Sequence, residues 1–468
     1  IMMLTILALL PFFLIIYLLI IKKIKSHIVM GIVYVTTLLL LLLVWRVEFS
    51  TTLFSTIKGL LISFEVFLII ISILILFNVL KKRGKLTIIE NTLKEYSNNI
   101  YIQIIIIGWF LVSFLEGIAG FGTPAAIAAP LLVFLGFRAL TAIVITLVAD
   151  SVSVVFGAFG TPVIIGIFSS IDSTIVNTQQ LTLISSLLNG FMAIFMPLIL
   201  LILYNLMEKI PLRDLKDKIF FALSSGIFFA IPYILVAFFI GPELASVIAS
   251  IVGLILTIGL IHFGIGIEKS NKITTKLSTI LLSFSPYIVL ITFLIITRLN
   301  IFNVSTLMNN FSFTINFSTF STTNISAYTF SLTTPGLLIL ITALLFAFLY
   351  LISNSLKKED VKEVLFTSFN SVKFVFITLL FTLSFVQLLL NSEYNLSNSL
   401  GIPQLIGSLF SEVGILYIFF APLIGAFGTF IAGSATVSNL IFSPLQFEAS
   451  LVNSLPSELI LALQTSGA

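Results

Sequence analysis

The residues of this chain that could do chemistry inside a membrane gather around a repeated tripeptide, Phe-Gly-Thr. Two copies read Ala-Gly-Phe-Gly-Thr-Pro (119–124) and Gly-Ala-Phe-Gly-Thr-Pro (157–162), and a third reads Gly-Ala-Phe-Gly-Thr-Phe (425–430). Glycine and proline interrupt helices, and irregular backbone at bilayer depth is tolerated only where it is buried in protein or lines a wet cavity. Repeated interruptions of one design are typical of the binding site of a secondary transporter.

A helix that begins directly after such an interruption can bind an anion. Pro124 stands where a helix can start, because its missing N–H is harmless in the first turn. The free N–H groups and positive dipole end of a half-helix beginning near Thr123 suit a carboxylate. The candidate binding residues beside the three copies are Gly120, Phe121, Gly122, Thr123, Gly160, Thr161, Gly428, Thr429, Gly433, Ser434, Thr436, Ser438 and Asn439. The alternative is that the glycines only allow close packing of helices. The presence of three copies of the motif favours the binding site over this alternative.

Two carboxylates accompany the first two copies, Glu116 just before the first and Asp150 seven residues before the second. A charged carboxylate near the bilayer centre costs about 3 kcal/mol or more unless it is paired, hydrated or protonated. Burial disfavours the charged form, so such a group can take up and release a proton. We therefore predict Glu116 as the proton carrier and Asp150 as a second candidate, the alternative being interfacial carboxylates at helix ends. Arg298 is a candidate counter-ion for a substrate carboxylate, unless it only reaches toward lipid headgroups.

The composition is that of an integral membrane protein without a sizeable soluble domain. Of 468 residues, 59% are hydrophobic and 9% charged, whereas a soluble domain carries about 25% charged residues. The chain has no cysteine and two histidines, and it lacks the motifs of metalloproteases, phosphate-binding loops and dinucleotide folds. We therefore expect no enzyme activity and no metal or other cofactor. We also expect no nucleic-acid partner, because the lysines sit in short loops between apolar segments.

About 12 apolar segments are long enough to cross a bilayer, so we predict an all-α polytopic protein of the plasma membrane with re-entrant, broken-helix hairpins. Eighteen of the 23 Lys and Arg residues fall in five loops, at 22–27, 81–99, 207–218, 268–276 and 354–363. Placing all five loops in the cytoplasm gives a self-consistent threading. The uncharged segment 299–334 is then extracellular.

A shift of 306 residues places Ile118–Ala129 on Ile424–Ala435 with six of twelve positions identical. The basic loops give the two copies opposite orientations, which predicts an inverted repeat within a single transporter domain spanning 1–468. The first repeat covers 60–200 and the second 366–468. The partner of the motif at Gly157 should begin near residue 463, so we expect a sequence truncated at its C-terminus.

At these residues the chain resembles the L-lactate permease family. The resemblance is carried by Glu116-Gly-Ile-Ala-Gly-Phe-Gly-Thr-Pro-Ala-Ala-Ile-Ala, by Val155-Phe-Gly-Ala-Phe-Gly-Thr-Pro and by Ile424-Gly-Ala-Phe-Gly-Thr-Phe-Ile-Ala-Gly-Ser-Ala-Thr-Val-Ser-Asn. It implies an ion-transporter-type fold that takes up lactate, and often glycolate, by proton symport. Two departures stand out: Ala435 replaces an aspartate common in the family, and Asp150 stands where the family usually has asparagine.

The expected function is therefore uptake of L-lactate or a similar short monocarboxylate by proton symport. A sodium-coupled or dicarboxylate carrier of the same fold is the main alternative, and an ion channel is a further one. The oligomeric state stays open, with a homodimer as one alternative.

Overall fold

The computed structural model describes residues 2–85, 88, 99–120, 123–171, 176–264, 277–298, 301–317, 325 and 327–468. The first ten helices are α1 (Met2–Ile16), α2 (Ser26–Leu40), α3 (Phe49–Lys82), α4 (Ile100–Ile118), α5 (Thr123–Phe134), α6 (Ala139–Ser153), α7 (Gly157–Ile164), α8 (Thr178–Met207), α9 (Ile219–Phe239) and α10 (Ala245–Phe263). The remaining helices are α11 (Leu277–Arg298), α12 (Val304–Asn309), α13 (Pro335–Ile352), α14 (Lys358–Leu390), α15 (Ile402–Ser408), α16 (Tyr417–Ala432), α17 (Ala435–Val452) and α18 (Ser457–Gly467). The chain is thus built almost entirely of helices.

The predicted all-α polytopic architecture is confirmed. In the described part of the chain, 11 helices are long and apolar enough to cross a membrane, or 12 if the bent pair Ser285–Thr297 and Ile301–Asn309 is one span. Large apolar side chains cover the outer surface, with Phe134 exposed by 77% and Leu43 by 74%. These faces suit a hydrocarbon environment, where helices satisfy their backbone hydrogen bonds internally.

A two-stranded antiparallel sheet is the exception to the helical pattern. Strands β1 (Phe313–Ile315) and β2 (Tyr328–Phe330) pair with Phe313 opposite Phe330. The Tyr328 hydroxyl donates a 3.2 Å hydrogen bond to Glu65 on α3. The hairpin therefore anchors part of the uncharged segment 299–334 to the helices.

The two longest helices, α3 and α14, pack along each other and form one wall of the protein. The Ser63 hydroxyl on α3 lies 2.7 Å from the carbonyl of Gly59 and 3.0 Å from that of Leu379 on α14. At one end of the pair, Lys82 contacts Asp360 at 3.4 Å and Glu363 at 2.7 Å. Helices α2 and α13 flank this pair.

A second layer, formed by α8, α9 and α10, packs against α4. The Trp109 ring on α4 lies 4.8 Å from that of Phe229, which stacks on Tyr233 of α9 at 5.4 Å. Both Trp109 and Tyr233 are fully buried. This aromatic packing fixes α4, whose last turn carries Glu116.

Three interrupted segments lie between these layers: the break between α4 and α5, the break between α6 and α7, and the turn between α16 and α17. Helix α4 packs against α5, α6 and α7, and α7 packs against α17. Helix α18 closes the arrangement by packing against α8, α16 and α17. The fold thus brings irregular backbone from both halves of the chain to one place.

Candidate functional site

The first break follows the buried Glu116 directly. Helix α4 ends at Ile118, and Gly120 adopts a left-handed conformation with φ +58°. The Gly120 N–H reaches back to the carbonyls of Glu116 at 3.1 Å and Leu115 at 3.4 Å, as in a left-handed helix C-cap. Phe121 and Gly122 lie outside the described residues, as does the side chain of Thr123, where α5 begins.

The second break contains three consecutive left-handed residues, Ala158 (φ 43°), Phe159 (φ 54°) and Gly160 (φ 77°). This conformation costs roughly 1–2 kcal/mol for each residue with a side chain. Ala158 and Phe159 are each only 2% exposed, so packing holds them in place. The preceding residue, Gly157, leaves the space that the Glu116 carboxyl group occupies, because a Cβ there would collide with Oε1.

The third copy of Phe-Gly-Thr does not break its helix, which corrects the expectation for Gly428 and Thr429. Helix α16 continues through both residues to Ala432 and stops at Gly433, whose φ is +66°. The first two copies continue into a proline, which cannot extend a helix from its N-terminal side, whereas the third copy has Phe430. Ser434 then caps α17, and its hydroxyl accepts a 3.4 Å hydrogen bond from the N–H of Val437.

The three motif regions meet around one small cavity of about 180 Å³. A water molecule takes up ~30 Å³ in the liquid, so this volume holds several waters or one small organic anion. Its lining is formed by Glu116, Gly120, Asp150, Val154, Gly157, Ala158, Thr161, Pro162, Thr429, Gly433, Ser434, Ala435 and Thr436. Both halves of the chain therefore contribute to a single cavity.

One side of the cavity carries a pair of carboxyl groups. Glu116, 4% exposed, and Asp150 interact directly, although they come from different helices. Among the described residues, no lysine or arginine lines this cavity. Two like charges at short range in a poorly solvated place repel strongly, so a proton between the two groups stabilises this arrangement.

The cavity lining also carries hydroxyl groups and the starts of two helical segments. Thr161 and Pro162 begin the helical part of α7, and Ser434, Ala435 and Thr436 begin α17. Helix N-termini carry partial positive charge and free N–H groups, which favour anions. The lining can therefore hold both a carboxylate and a proton.

Two polar atoms at the cavity lack a protein partner. Asp150 Oδ1 and Thr429 Oγ1 are buried, and within the described part of the chain neither has a hydrogen-bond partner. A buried polar atom without a partner costs about 1–3 kcal/mol. Both residues line the cavity, so a bound molecule could satisfy them.

Eight of the residues predicted from the sequence line this cavity: Glu116, Gly120, Asp150, Thr161, Thr429, Gly433, Ser434 and Thr436. Four others are packed outside its lining, namely Gly160, Gly428, Ser438 and Asn439. The Ser438 hydroxyl donates to the carbonyl of Gly425 at 3.0 Å, and Asn439 donates to that of Pro162 at 3.0 Å. Arg298 ends α11, and its side chain lies outside the described residues.

Sequence reasoning missed five lining residues: Val154, Gly157, Ala158, Pro162 and Ala435. Gly157, Ala158 and Pro162 belong to the second motif, so their proximity to Gly160 was the available signal. The role of Gly157 depends on its contact with Glu116, 41 positions away in the sequence. Helix periodicity cannot predict such a contact.

A second, larger cavity of about 580 Å³ lies between α3, α14 and α17. Its polar lining includes Lys58, Glu65, Gln387, Glu393 and Glu448. None of the predicted site residues with described side chains lines it. The smaller cavity is therefore the one that collects the glycine motifs.

Many apolar spans around a polar cavity at helix breaks define a polytopic membrane protein built like a secondary transporter. The sequence profile of the L-lactate permease family matches residues 4–468. The chain belongs to that family.

Relatives of this chain extend over most of its length. It is 32% identical over 422 residues to a Haemophilus influenzae protein, covering 84% of this chain and 76% of that protein. It is 27% identical to an L-lactate permease of Streptococcus iniae, over 95% of this chain and 90% of that protein. It is 25% identical to the L-lactate permease of Escherichia coli K12, over 99% of this chain and 86% of that protein. No solved structure matches.

Proposed function

We propose that this chain is a symporter, and not an enzyme, that takes up L-lactate or a similarly small monocarboxylate such as glycolate together with a proton. The observation that carries the proposal is that one cavity is lined by a carboxyl pair, by hydroxyl groups and by two helix N-termini. The match to the L-lactate permease family supports the choice of substrate.

The proposed binding mode places the substrate carboxylate on the side of Thr429, Ser434 and Thr436. The N-terminal end of α17, an 18-residue helix, supplies N–H groups and partial positive charge there. A lactate hydroxyl would then point toward Asp150, whose Oδ1 has no hydrogen-bond partner in the described part of the chain. The cavity volume of about 180 Å³ suits an anion of this size better than a large organic acid.

Proton coupling follows in this proposal from the Glu116–Asp150 pair. One proton between the two groups removes their mutual repulsion and lowers the negative charge that an entering anion meets. Anion and proton then enter together without net charge movement, and a pH gradient drives accumulation. A sodium-coupled or dicarboxylate carrier is the second candidate, because a carboxyl pair could instead hold a cation.

We also propose that the protein spans the plasma membrane with its basic loops in the cytoplasm. One set of contacts supports a common side for two of these loops: Lys82 of 81–99 contacts Asp360 and Glu363 of 354–363. The uncharged segment 299–334 is extracellular in this orientation. A homodimer is part of the proposal.

The inverted repeat of 60–200 and 366–468 also remains a proposal. The pairing of α3 with α14, each followed by interrupted segments that reach the cavity, supports it. The left-handed glycines Gly120 and Gly433 are the corresponding breaks. Gly433 lies seven residues beyond the position that a shift of 306 gives for Gly120, so the second copy breaks its helix later in the motif than the first.

Uptake by the purified protein in proteoliposomes tests this function. We expect saturable accumulation of labelled lactate with an imposed inward proton gradient, competition by glycolate, and weaker competition by succinate. The substitution Glu116→Gln should abolish proton-driven uptake and spare exchange of lactate for preloaded lactate, because exchange needs no net proton release.

Three results would contradict the proposal in distinct ways. Unchanged pH-driven uptake by Glu116→Gln would remove that residue from coupling. Accumulation that follows a sodium gradient alone would favour the second candidate. Flux without saturation or uphill accumulation would favour a channel.

A further inference from the structure

A continuous network of buried polar side chains runs from α16 to α7. Its side chains lie outside the cavity lining, and its last acceptor is the carbonyl of the lining residue Pro162. The Tyr417 hydroxyl donates to Gln446 Oε1 at 2.7 Å, and Gln446 Nε2 donates to Gln464 Oε1 at 2.7 Å. Gln464 Nε2 donates to Asn439 Oδ1 at 3.4 Å, and Asn439 Nδ2 donates to the Pro162 carbonyl at 3.0 Å. All four side chains are at most 1% exposed.

The hydrogen bonds that link these four side chains all run in one direction, from the Tyr417 hydroxyl to the Pro162 carbonyl. Each amide accepts through its oxygen on one side and donates through its nitrogen on the other. Asn439 and Gln464 make additional bonds, Asn439 Nδ2 to Thr465 at 2.8 Å and Gln464 Nε2 to Ser438 at 3.3 Å. A buried network in which the members are satisfied is rigid and specifies one geometry.

The last link replaces a backbone hydrogen bond that α7 does not make. The N–H groups of Ile165 and Gly166 both donate to the carbonyl of Thr161, at 2.9 and 3.1 Å. The Pro162 carbonyl thereby loses its usual helical donor, the N–H of Gly166, and receives the Asn439 amide instead. Buried carbonyls need such a partner.

The Asn439 link lies one helical turn from the cavity. Asn439 follows the lining residue Ala435 by four positions on α17, and its acceptor Pro162 lines the cavity on α7. The bond therefore joins the two helices whose N-termini face the proposed carboxylate. It sets the separation of those N-termini without touching the bound molecule.

We propose that Asn439 is a positioning residue that fixes α7 against α17 and thereby determines how tightly the cavity holds a small monocarboxylate. The proposal rests on the proposed function for the identity of the substrate. The Tyr417–Gln446–Gln464 segment orients the Asn439 amide so that its nitrogen faces Pro162. Flipping that amide would place two oxygens against each other.

Two variants test this role by transport. Asn439→Ala removes the link, and Asn439→Asp keeps the side-chain shape and the acceptor for Gln464 but places carboxylate oxygen against the Pro162 carbonyl. We expect both to raise the half-saturation concentration for lactate by about three- to tenfold, the effect of losing one or two hydrogen bonds. The maximal exchange rate per folded protein should change less.

Asn189→Ala is the matched control. Asn189 is also buried and amide-bearing, and its Nδ2 donates to Ser466 on α18 at 2.8 Å and to the Ser185 carbonyl at 2.9 Å. Within the described part of the chain, Asn189 makes no hydrogen bond to α7 or α17, so its removal tests the loss of a buried amide alone. We expect wild-type affinity for lactate.

A second measurement needs no substrate. The sequence contains no cysteine, so spin labels on Phe168→Cys, in the turn directly after α7, and on Glu448→Cys in α17 can report the separation of these two segments by double electron–electron resonance. We expect the distance distribution to broaden in Asn439→Ala and Asn439→Asp and to stay narrow in Asn189→Ala.

The outcomes separate the two proposals. Wild-type affinity and a narrow distribution in both Asn439 variants would overturn the positioning role. Equal losses of affinity in the Asn189 and Asn439 variants would overturn it as well. A wild-type protein that takes up no lactate, together with broadened distances in the Asn439 variants, would overturn the proposed substrate and leave the link intact.

Discussion

Gly157→Ala is the sharpest test of the arrangement around Glu116. Gly157 has φ −68° and ψ 160°, a conformation open to any residue, so the substitution adds no backbone strain. The added Cβ would lie 3.0 Å from the Glu116 Cδ and 3.2 Å from its Cγ, and it would overlap Oε1. The methyl group can fit only if the carboxyl group leaves its place beside Asp150.

The expected magnitude follows from this displacement. Overpacking a buried site costs typically ~1–3 kcal/mol, and here a flexible side chain can turn away, so we expect the lower end for stability. A displacement of about 1 Å at a reacting group can lower a rate by ~100-fold. We therefore expect proton-driven lactate uptake in proteoliposomes to fall by about tenfold or more, with a modest loss of thermal stability.

The same substitution in a Glu116→Ala background isolates the cause. Without the carboxyl group the methyl has space, so Gly157→Ala should cost no further stability, and the double-mutant cycle should show a clear interaction energy. Uptake stays absent in the double variant because the proton carrier is missing. Wild-type uptake by Gly157→Ala, or the same stability loss in both backgrounds, would refute the placement of Glu116 against Gly157.

Two further substitutions separate backbone from side-chain effects at the cavity. Gly433→Ala adds strain without contact, since φ is +66° and, among the described residues other than its chain neighbours, none has an atom within 4 Å of the added Cβ. We expect a stability loss of roughly 1–2 kcal/mol in thermal unfolding and weaker lactate uptake. Gly414→Ala is its control, with φ +57° and equally open space, and equal transport losses in both would argue against a site role for Gly433. Thr429→Val removes a hydroxyl without a hydrogen-bond partner in the described residues, so we expect unchanged stability and a higher half-saturation concentration for lactate. Wild-type affinity in Thr429→Val would exclude its hydroxyl from binding.

Hydropathy was sufficient for the fold class, because long apolar segments with charged loops have few other stable structures. It does not predict that α3 begins as early as Phe49, several turns ahead of its continuous apolar part. The extra turns contain Ser and Thr, whose hydroxyls bond to the preceding turn, as Ser55 does to the Thr51 carbonyl at 2.7 Å. Local bonding of this type allows a polar stretch to remain helical.

The helix breaks at the site could be predicted from the sequence where neighbouring residues cause them. The sequence Gly-Thr-Pro interrupts the helix at the first two motifs. The third motif has Phe430 in place of the proline, and its helix continues until Gly433. The contacts of Gly157 with Glu116 and of Asn439 with Pro162 join distant segments. Such contacts depend on how helices pack, which composition and spacing do not contain.

The proposed coupling also gives a reason for the division of the cavity between the two halves of the chain. The carboxyl pair comes from α4 and α6, whereas most of the hydroxyl groups, those of Thr429, Ser434 and Thr436, come from the second half of the chain. An anion about 4 Å from an unneutralised carboxylate would meet a repulsion of about 4 kcal/mol at an effective dielectric constant of ~20, close to a thousandfold in affinity. A proton on the first half is then required before the second half can retain the anion. Under this proposal each ligand alone leaves the other's binding groups unoccupied, so the binding of the anion depends on the binding of the proton.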